Sequence, residues 1–95
     1  MKKLKTWDEV RKDFHFTREE EEEIRLEKEL IEATIAIRKK LGLTQTELGK
    51  KSGIKQPNIA KIENFSRSPQ VDTLLKLLVA MGYTLRVVPL ENKKK

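Results

Sequence analysis

The sequence carries the same helix-start signal at three points, and this constrains the fold more than any other feature. A threonine precedes a glutamate by three residues at Thr6, Thr17 and Thr44. In this spacing, known as the capping box, the threonine hydroxyl and the glutamate carboxylate satisfy free N–H groups at the start of a helix. The chain is therefore predicted to be all-α.

Glycine residues end two of the predicted helices. The long second helix is expected to stop at Gly42, and the much shorter third helix at Gly53. A fourth helix is predicted at residues 56–64, and the helix that opens the sequence is predicted to reach Asp13. With a last helix added, the prediction is a fold of five to six helices.

A last helix and a lone strand are predicted in the C-terminal third of the chain. Ser68 and Pro69 suit the N-cap and the first helical position. Residues 83–88 alternate in polarity and are rich in β-forming residues, so they predict a short strand that Pro89 ends. The buried face of the last helix is predicted from its apolar residues: Val71, Leu74, Leu75, Leu78 and Met81.

Composition excludes several classes of protein. The chain has 95 residues, enough for one core, with no cysteine and a single histidine, His15. It cannot build a disulfide, a thiolate nucleophile, a His-based triad or a two-His metal centre, so we expect no catalysis, cofactor, metal or small-molecule substrate. No apolar run approaches the roughly 18 residues of a membrane span, and no apolar signal core follows the basic start. A soluble cytoplasmic protein is predicted.

Positive charge is concentrated in the middle of the chain. Residues 38–67 hold eight basic and two acidic side chains, whereas residues 1–23 hold six basic and eight acidic ones. A local excess of this kind indicates a polyanionic partner such as DNA. Ordinary solvation by lysine is the alternative explanation of the charge taken alone.

Two short helices flank Gly53 inside this basic segment, which suits a helix-turn-helix. In that arrangement the first helix braces against the DNA backbone and the second enters the major groove. The segment Leu41–Glu63 reads Leu-Thr-Gln-x-Glu-Leu from Leu43, then a glycine turn, then Gln-x-x-Ile-x-x-Ile-Glu from Gln56. In this pattern the chain resembles the Xre/Cro–C1 repressor family, which implies a lambda-repressor-like domain.

The resemblance assigns roles to residues on both short helices. Gln45 would anchor a DNA phosphate, and Gln56 and Asn58 would be able to make paired hydrogen bonds to adenine or single ones to other base edges. Arg38 and Glu63 are expected to form a structural ion pair. The residues expected to contact DNA are Thr44, Gln45, Lys55, Gln56, Pro57, Asn58, Lys61 and Arg67.

The chain departs from the family pattern at three positions. Lys55 stands where a serine or threonine usually caps the recognition helix, so that helix is expected to lack a side-chain cap. Gly49 replaces an alanine where the two helices approach. Phe65 replaces a glycine after the recognition helix and is expected to cover the core from the loop.

The N-terminal part of the chain is acidic and aromatic, as an interface with a basic protein requires. In its segment Phe-Thr-Arg-Glu-Glu from Phe16, and in the hydrophobic residues 82–88, the chain resembles a HigA-type antitoxin. This resemblance implies a basic RelE/HigB-like ribonuclease toxin as partner, and repression of the operon by the complex. Packing of the aromatic residues on the chain's own long helix is the alternative. The residues predicted to hold the toxin are Trp7, Val10, Phe14 and Phe16.

The predicted strand cannot satisfy its own backbone groups, so it requires a partner strand. Pairing with the same strand of a second copy is predicted, through Leu85 and Val87, and pairing with a toxin's sheet is the alternative. Such a homodimer would read a palindromic operator. The chain is thus divided into an extension at 1–23, a helix-turn-helix domain at 24–82, a dimerisation strand at 83–90 and a disordered basic tail at 91–95.

An antitoxin that represses its own operon is the predicted function. The alternatives are an orphan or phage-type repressor without a toxin, and a protein-interaction adaptor that has lost DNA binding. The presence of Gln45, Gln56, Asn58 and Lys61 favours DNA binding over the adaptor. A small basic protein encoded beside this gene would favour the antitoxin over the orphan repressor.

Overall fold

A computed structural model describes residues 16–90 of the chain. Within this range the backbone forms four helices and no strand, which confirms the predicted all-α class. The predicted total of five to six helices and the C-terminal strand are not supported, and the helix predicted from Thr6 lies outside the described residues. The helices are α1 (Arg18–Lys40), α2 (Gln45–Ser52), α3 (Gln56–Glu63) and α4 (Val71–Ala80).

Both capping boxes within the described residues are formed as predicted. The Thr17 hydroxyl accepts a hydrogen bond from Glu20 N at 3.1 Å, and Thr17 N donates to Glu20 Oε1 at 2.9 Å. At Thr44 the same two bonds join Glu47, at 3.0 and 2.8 Å. Each of these helix starts is specified by residues one turn apart, which is why the sequence alone predicts it.

Gly42 and Gly53 follow α1 and α2 in the left-handed conformation, with φ of 73° and 81°. A residue with a Cβ is disfavoured in this conformation, because the Cβ approaches the following carbonyl oxygen. Gly53 N donates to Gly49 O at 2.8 Å and closes the last turn of α2. The chain therefore turns sharply between α2 and α3, as predicted.

The helices of the described range pack around one small core. Ile31 of α1 and Leu48 of α2 are fully buried. From α3, Ile59 and Ile62, three residues apart and so on one side of the helix, point inward. The other buried hydrophobic side chains come from α4 and the residue after it: Leu74, Leu77, Leu78 and Met81.

The prediction for α4 is wrong about the residue at which the helix begins and about part of its buried side. The helix begins at Val71 rather than Pro69, because Gln70 keeps an extended backbone with ψ of 159° and serves as the N-cap. The predicted burial of Val71 and Leu75 is also wrong, since they are 71% and 37% exposed, whereas Leu77 is buried. Apolar residues surround most of this helix, so periodicity alone does not select the side that meets the core.

The predicted strand is absent from residues 83–90, which have no regular secondary structure. Leu85 is half-buried and packs against the core, whereas Val87 and Val88 are 101% and 72% exposed. A strand needs a neighbouring strand to exchange backbone hydrogen bonds, and the described part of a single chain offers none. β-Propensity alone is therefore insufficient to make residues 83–90 form a strand.

Phe65 adopts the left-handed conformation that glycine usually supplies after a helix, with φ of 64°. Ser66 N donates to Lys61 O at 2.9 Å, and the N–H of Phe65 itself donates to Ile62 O at 3.1 Å. These are the two hydrogen bonds of a Schellman motif. The Phe65 side chain is 50% exposed and lies outside the buried cluster, so the expectation that it covers the core is wrong.

Replacing Phe65 with glycine should stabilise the protein by about 1 kcal/mol, because the left-handed conformation costs a residue with a Cβ roughly 1–2 kcal/mol. The greater freedom of glycine in the unfolded chain offsets part of this gain. Urea denaturation measures the change. Phe65→Ala, which removes the ring and keeps the Cβ, is the control and should stay within about 0.5 kcal/mol of wild type. Equal stabilities for the two variants would contradict the assignment of strain to this backbone.

Candidate nucleic-acid interface

A largely buried ion pair joins α1 to the C-terminal end of α3. Arg38 Nε and Nη2 donate to the two carboxylate oxygens of Glu63 at 2.7 and 2.9 Å. Arg38 Nη1 donates to the carbonyl oxygen of Leu43 at 2.8 Å. The arginine and glutamate side chains are only 11% and 10% exposed, so solvent screens the pair weakly. The ion pair implied by the family resemblance is present, and it ties together α1, the loop before α2, and α3.

Glu63 also begins a series of hydrogen bonds that reaches the first residue of α3. Gln45 Nε2 donates to Glu63 Oε1 at 2.9 Å. Gln56 Nε2 in turn donates to Gln45 Oε1 at 2.8 Å. Since Gln45 and Gln56 are the first residues of α2 and α3, the starts of both helices are connected to the ion pair.

The Glu63 carboxylate determines the direction of every bond in this series. A carboxylate only accepts hydrogen bonds, so Gln45 turns its amide nitrogen toward Glu63 and its oxygen toward Gln56. Gln56 must then supply its own nitrogen, which leaves its Oε1 and one N–H without a partner among residues 16–90. An acceptor beside a donor is the pattern that a glutamine side chain uses to bind adenine.

The outer side of α3 carries Pro57 and Lys61, which are exposed and lie one turn apart. The opposite side of this helix is buried in the core. Gln56 and Asn58 are half-buried and flank the outer side. A partner that approaches α3 from outside therefore meets Pro57 and Lys61 first, with an amide side chain at either edge.

Arg67 lies in the loop after α3 and contacts the side chain of Asn58. Its Nη1 donates to Asn58 Oδ1 at 3.2 Å. The paired contact predicted between Asn58 and adenine needs both a donor and an acceptor, and here the Asn58 oxygen already accepts one hydrogen bond and keeps its second lone pair. In this arrangement the Asn58 amide nitrogen is available to donate to guanine or thymine oxygens, and the Asn58 oxygen holds Arg67 in place.

Lys55 is the N-cap of α3, and among the described residues its side chain forms no capping hydrogen bond, as predicted. Pro57, in the first turn, lacks an N–H and so reduces the number of donors that a cap must satisfy. Thr44 differs, because its hydroxyl accepts from Glu47 N at 3.0 Å and caps α2. Asn58 N and Ile59 N both donate to Lys55 O, at 2.9 and 3.1 Å, so among residues 16–90 the N–H of Gln56 and the exposed charge of Lys55 are what the start of α3 offers to an anion.

Replacing Lys55 with serine should change stability and DNA binding in opposite directions. A serine hydroxyl can share the N–H of Asn58 with the carbonyl oxygen of residue 55, to which it already donates, and should stabilise the protein by about 0.5 kcal/mol. Loss of the positive charge should reduce the slope of log K against log salt by about 0.9 for each bound copy. Urea denaturation and shift assays over a salt series measure the two effects. Lys55→Gln should show the salt effect alone, and a serine variant no more stable than it would contradict the capping argument.

The link between Gln45 and Gln56 is not predicted from the sequence, which suggests two independent DNA contacts. A signal for it exists, because each glutamine directly follows the N-cap of a short helix and a tight turn at Gly53 separates the two helices.

Three of the predicted toxin-binding residues, Trp7, Val10 and Phe14, lie outside the described residues.

Two other kinds of feature are absent from residues 16–90. No helix in this range is long and apolar enough to cross a membrane. The same residues contain no group of three histidine, cysteine or carboxylate side chains suited to a metal ion.

Residues 35–88, more than half of the chain, match the helix-turn-helix family. The chain belongs to this family. The matched range includes α2, α3, α4 and the C-terminal end of α1, and so contains every residue that connects Arg38 to Gln56. The predicted Xre/Cro–C1 type of this helix-turn-helix protein is confirmed.

Several known proteins are similar to this helix-turn-helix protein. An uncharacterized HTH-type transcriptional regulator from Haemophilus influenzae is 45% identical over 87 residues, 92% of this chain and 88% of the relative. Antitoxin HigA1 from Mycobacterium tuberculosis is 36% identical over 75 residues, 79% of this chain and 48% of HigA1, so this chain spans about half of that relative. A solved toxin-antitoxin module from Streptococcus pneumoniae is 40% identical with a TM-score of 0.67, covering 93% of this chain and 96% of that chain. The predicted resemblance to HigA-type antitoxins is confirmed.

Proposed function

We propose that this helix-turn-helix protein is a sequence-specific DNA-binding antitoxin that represses its own operon and neutralises a basic RelE/HigB-like ribonuclease toxin. The observation that most directly supports sequence-specific DNA recognition is the orientation of the Gln56 side chain by Gln45 and Glu63. The toxin partner is supported by the similarity to antitoxin HigA1 and to the toxin-antitoxin module. Since the similar proteins are named as regulators and antitoxins, no catalytic role is proposed.

In this proposal α3 enters the major groove of the operator. Gln56 Oε1 accepts from the amino group of an adenine, and the remaining N–H of Gln56 donates to N7 of the same base. Lys61 donates to a guanine or to a phosphate, and Pro57 offers an apolar surface to a thymine methyl group. The DNA sequence that the protein recognises thus depends most on the first two turns of α3.

Basic side chains around α3 hold the DNA backbone in this proposal. Lys55 precedes α3 and Arg67 follows it, and the second N–H of Gln45 is available for a phosphate at the start of α2. Residues 31–90 hold ten basic and four acidic side chains, so this part of the molecule attracts DNA of any sequence. These contacts position the protein, and the contacts from α3 to the bases supply its specificity.

Shift assays with the DNA upstream of the protein's own gene test this function. Wild type should prefer that duplex to random DNA by about 10³-fold or more. Gln56→Ala should cost about 1–3 kcal/mol and relax the preference at one base of each half-site. Lys61→Ala should weaken binding more than Lys76→Ala, the same substitution at an exposed position on α4. A wild type without sequence preference would exclude the repressor and leave the adaptor.

A homodimer on a palindromic operator is proposed to form through residues 83–90. Pairing of this segment with its copy would satisfy its backbone groups and place the exposed Val87 in the contact. Leu85 would support the pair from the core, against which it already packs. Val87→Pro should yield monomers in sedimentation and weaken operator binding. A Val87→Pro dimer would instead place the contact on the side of α4 where Val71 and Val79 are 71% and 57% exposed.

Toxin neutralisation is proposed to require the N-terminal extension. Deleting residues 1–16 should abolish neutralisation of the toxin encoded beside this gene while operator binding persists. Unfolding of the shortened protein would assign the extension to the core instead. Specific operator binding without any neighbouring toxin gene would favour the orphan or phage-type repressor.

A further inference from the structure

α1 extends beyond the core at its N-terminal end. Its first buried residue is Ile31, so the thirteen residues Arg18–Leu30 form helix with little support from the core. This segment is termed the acidic arm. Glu22, Ile24, Glu27 and Leu30 are half-buried and the other side chains of this segment are exposed, so most of its surface is accessible to a partner.

The acidic arm is stabilised by contacts within itself. Thr17 caps its start through the capping box, and glutamates in the first turn complement the helix dipole. Arg25 forms ion pairs with Glu22, three residues before it, and Glu29, four residues after it. The hydrogen bond from Arg25 also holds the pKa of the Glu22 carboxyl below its usual value. The arm thus offers a preformed helical surface.

One side of α1 carries an apolar stripe that the described fold leaves largely uncovered. Its residues follow one another at intervals of three and four, which places them on one side of the helix. Leu26 and Leu41, at its two ends, are 42% and 49% exposed, and Ile37 packs partly against the core. The stripe consists of Leu26, Leu30, Ala33, Ile37 and Leu41.

Carboxylates lie beside the arm end of this stripe. By helical spacing, Glu19 and Glu23 share its side and Glu27 borders it. No ion pair engages these three side chains among residues 16–90. The acidic arm holds seven acidic and three basic side chains, a net charge of −4, whereas residues 31–90 have a net charge of +6.

This separation of charge discriminates among the possible occupants of the stripe. The arm repels DNA, because its carboxylates face phosphates of the same sign. A second copy of the chain would bring two arms of net charge −4 together, which is also unfavourable. A basic protein fits both features, since its apolar side chains can fill the stripe while its lysine or arginine side chains meet the free carboxylates.

We infer that the apolar stripe and the carboxylates beside it are a second docking site, in addition to the N-terminal extension, for a basic, apolar segment of the toxin. This inference rests on the proposed antitoxin function and names the surface that would perform it. The site lies on α1, whereas the candidate DNA contacts lie on α2, α3 and the loop after α3. One chain is therefore able to hold toxin and operator at the same time.

Paired substitutions on two sides of α1 test the role of charge in the full-length protein, with the toxin encoded beside its gene as the probe. Glu19→Gln with Glu23→Gln removes two charges beside the stripe. Glu21→Gln with Glu32→Gln removes two exposed charges from the other side of α1 and is the matched control. The first pair should slow association with the toxin at low salt by about fivefold or more, and the control by less than about twofold.

A second pair tests the apolar stripe. Leu26→Gln with Leu30→Gln should raise the Kd for the toxin by about tenfold or more, mainly through faster dissociation. Ala36→Gln, an exposed position on another side of α1, should leave the Kd within about twofold of wild type. Operator affinity and helix content by circular dichroism should be unchanged in both variants.

Each other outcome contradicts the inference in a distinguishable way. Toxin binding that is insensitive to the leucine pair, or equal effects of the two glutamate pairs, would place the toxin elsewhere. If Leu26→Gln with Leu30→Gln lowers thermal stability as a core substitution does and leaves toxin affinity intact, the stripe is covered by residues 1–15 of the same chain rather than by the toxin. Those residues hold five basic and three acidic side chains. A wild type that does not bind the toxin would remove the antitoxin function itself.

Discussion

Replacing Glu63 with alanine should lower the free energy of unfolding by about 3–5 kcal/mol, because it leaves a buried guanidinium without its counter-charge. The Arg38 side chain is only 11% exposed and would keep just its hydrogen bond to the carbonyl oxygen of Leu43. Urea denaturation measures the loss. Glu32→Ala, at an exposed position on α1, is the control and should change stability by less than about 0.5 kcal/mol.

A double substitution separates the cost of the unpaired charge from the loss of the hydrogen-bond series. Arg38→Met with Glu63→Leu should recover most of the stability, since apolar side chains of similar volume replace a buried ion pair at little cost. It should not recover operator affinity, because Gln45 loses the carboxylate that orients it. Gln56 is then free to exchange its donor and acceptor, and discrimination for adenine should fall by about 1–3 kcal/mol.

Shift assays with each half-site base replaced in turn measure this discrimination. The single Glu63→Ala variant should lose both stability and base preference, whereas the double variant should lose the preference alone. A double variant with the wild-type preference would show that Glu63 does not orient Gln56.

Replacing Gly49 with valine should destabilise the protein by about 1–3 kcal/mol through overpacking, and should weaken operator binding. A Cβ built on Gly49 lies 2.7 Å from Ile54 O, a backbone atom of the turn between α2 and α3. That oxygen cannot retreat unless α3 shifts relative to α2, and the shift would change the contact between Gln45 and Gln56. The better helix propensity of valine offsets only about 0.5 kcal/mol of the loss.

Lys51→Val is the matched control, because it places the same side chain at an exposed position on the same helix. It should change stability by about 0.5 kcal/mol at most. Thermal denaturation and shift assays compare the two variants. If both unfold at the same temperature, the close approach at Gly49 does not constrain the turn.

Short-range chemistry explains why so much of the fold could be predicted. The capping boxes at Thr17 and Thr44 involve partners three residues away, and the turns at Gly42 and Gly53 depend on the φ of a single residue. The ion pair of the candidate site was predictable by another route, since it follows from the family pattern. Its partners lie twenty-five residues apart, and no local rule connects them.

Contacts between distant segments explain what could not be predicted. α4 has apolar residues around most of its surface, and only packing against α2 and α1 selects Leu77 over Leu75 for the core. The Asn58 side chain accepts a hydrogen bond from Arg67, nine residues away, so its orientation depends on the loop after α3. Residues 83–90 have strand propensity and no partner strand in the described part of the chain, so they form no strand.

The amino-acid sequence of this protein is sufficient to specify its all-α class, the capped starts of α1 and α2, the turn at Gly53 and its helix-turn-helix type, because each depends on groups within a turn or two or on a compact motif. The buried side of α4, the partner of Asn58 and the orientation of Gln56 arise only when separate elements pack together. For Gln56 the connection passes to Gln45, eleven residues away, and then to Glu63, a further eighteen residues from Gln45 along the chain. Such bonds depend on where the helices place their ends in space, which no local pattern encodes.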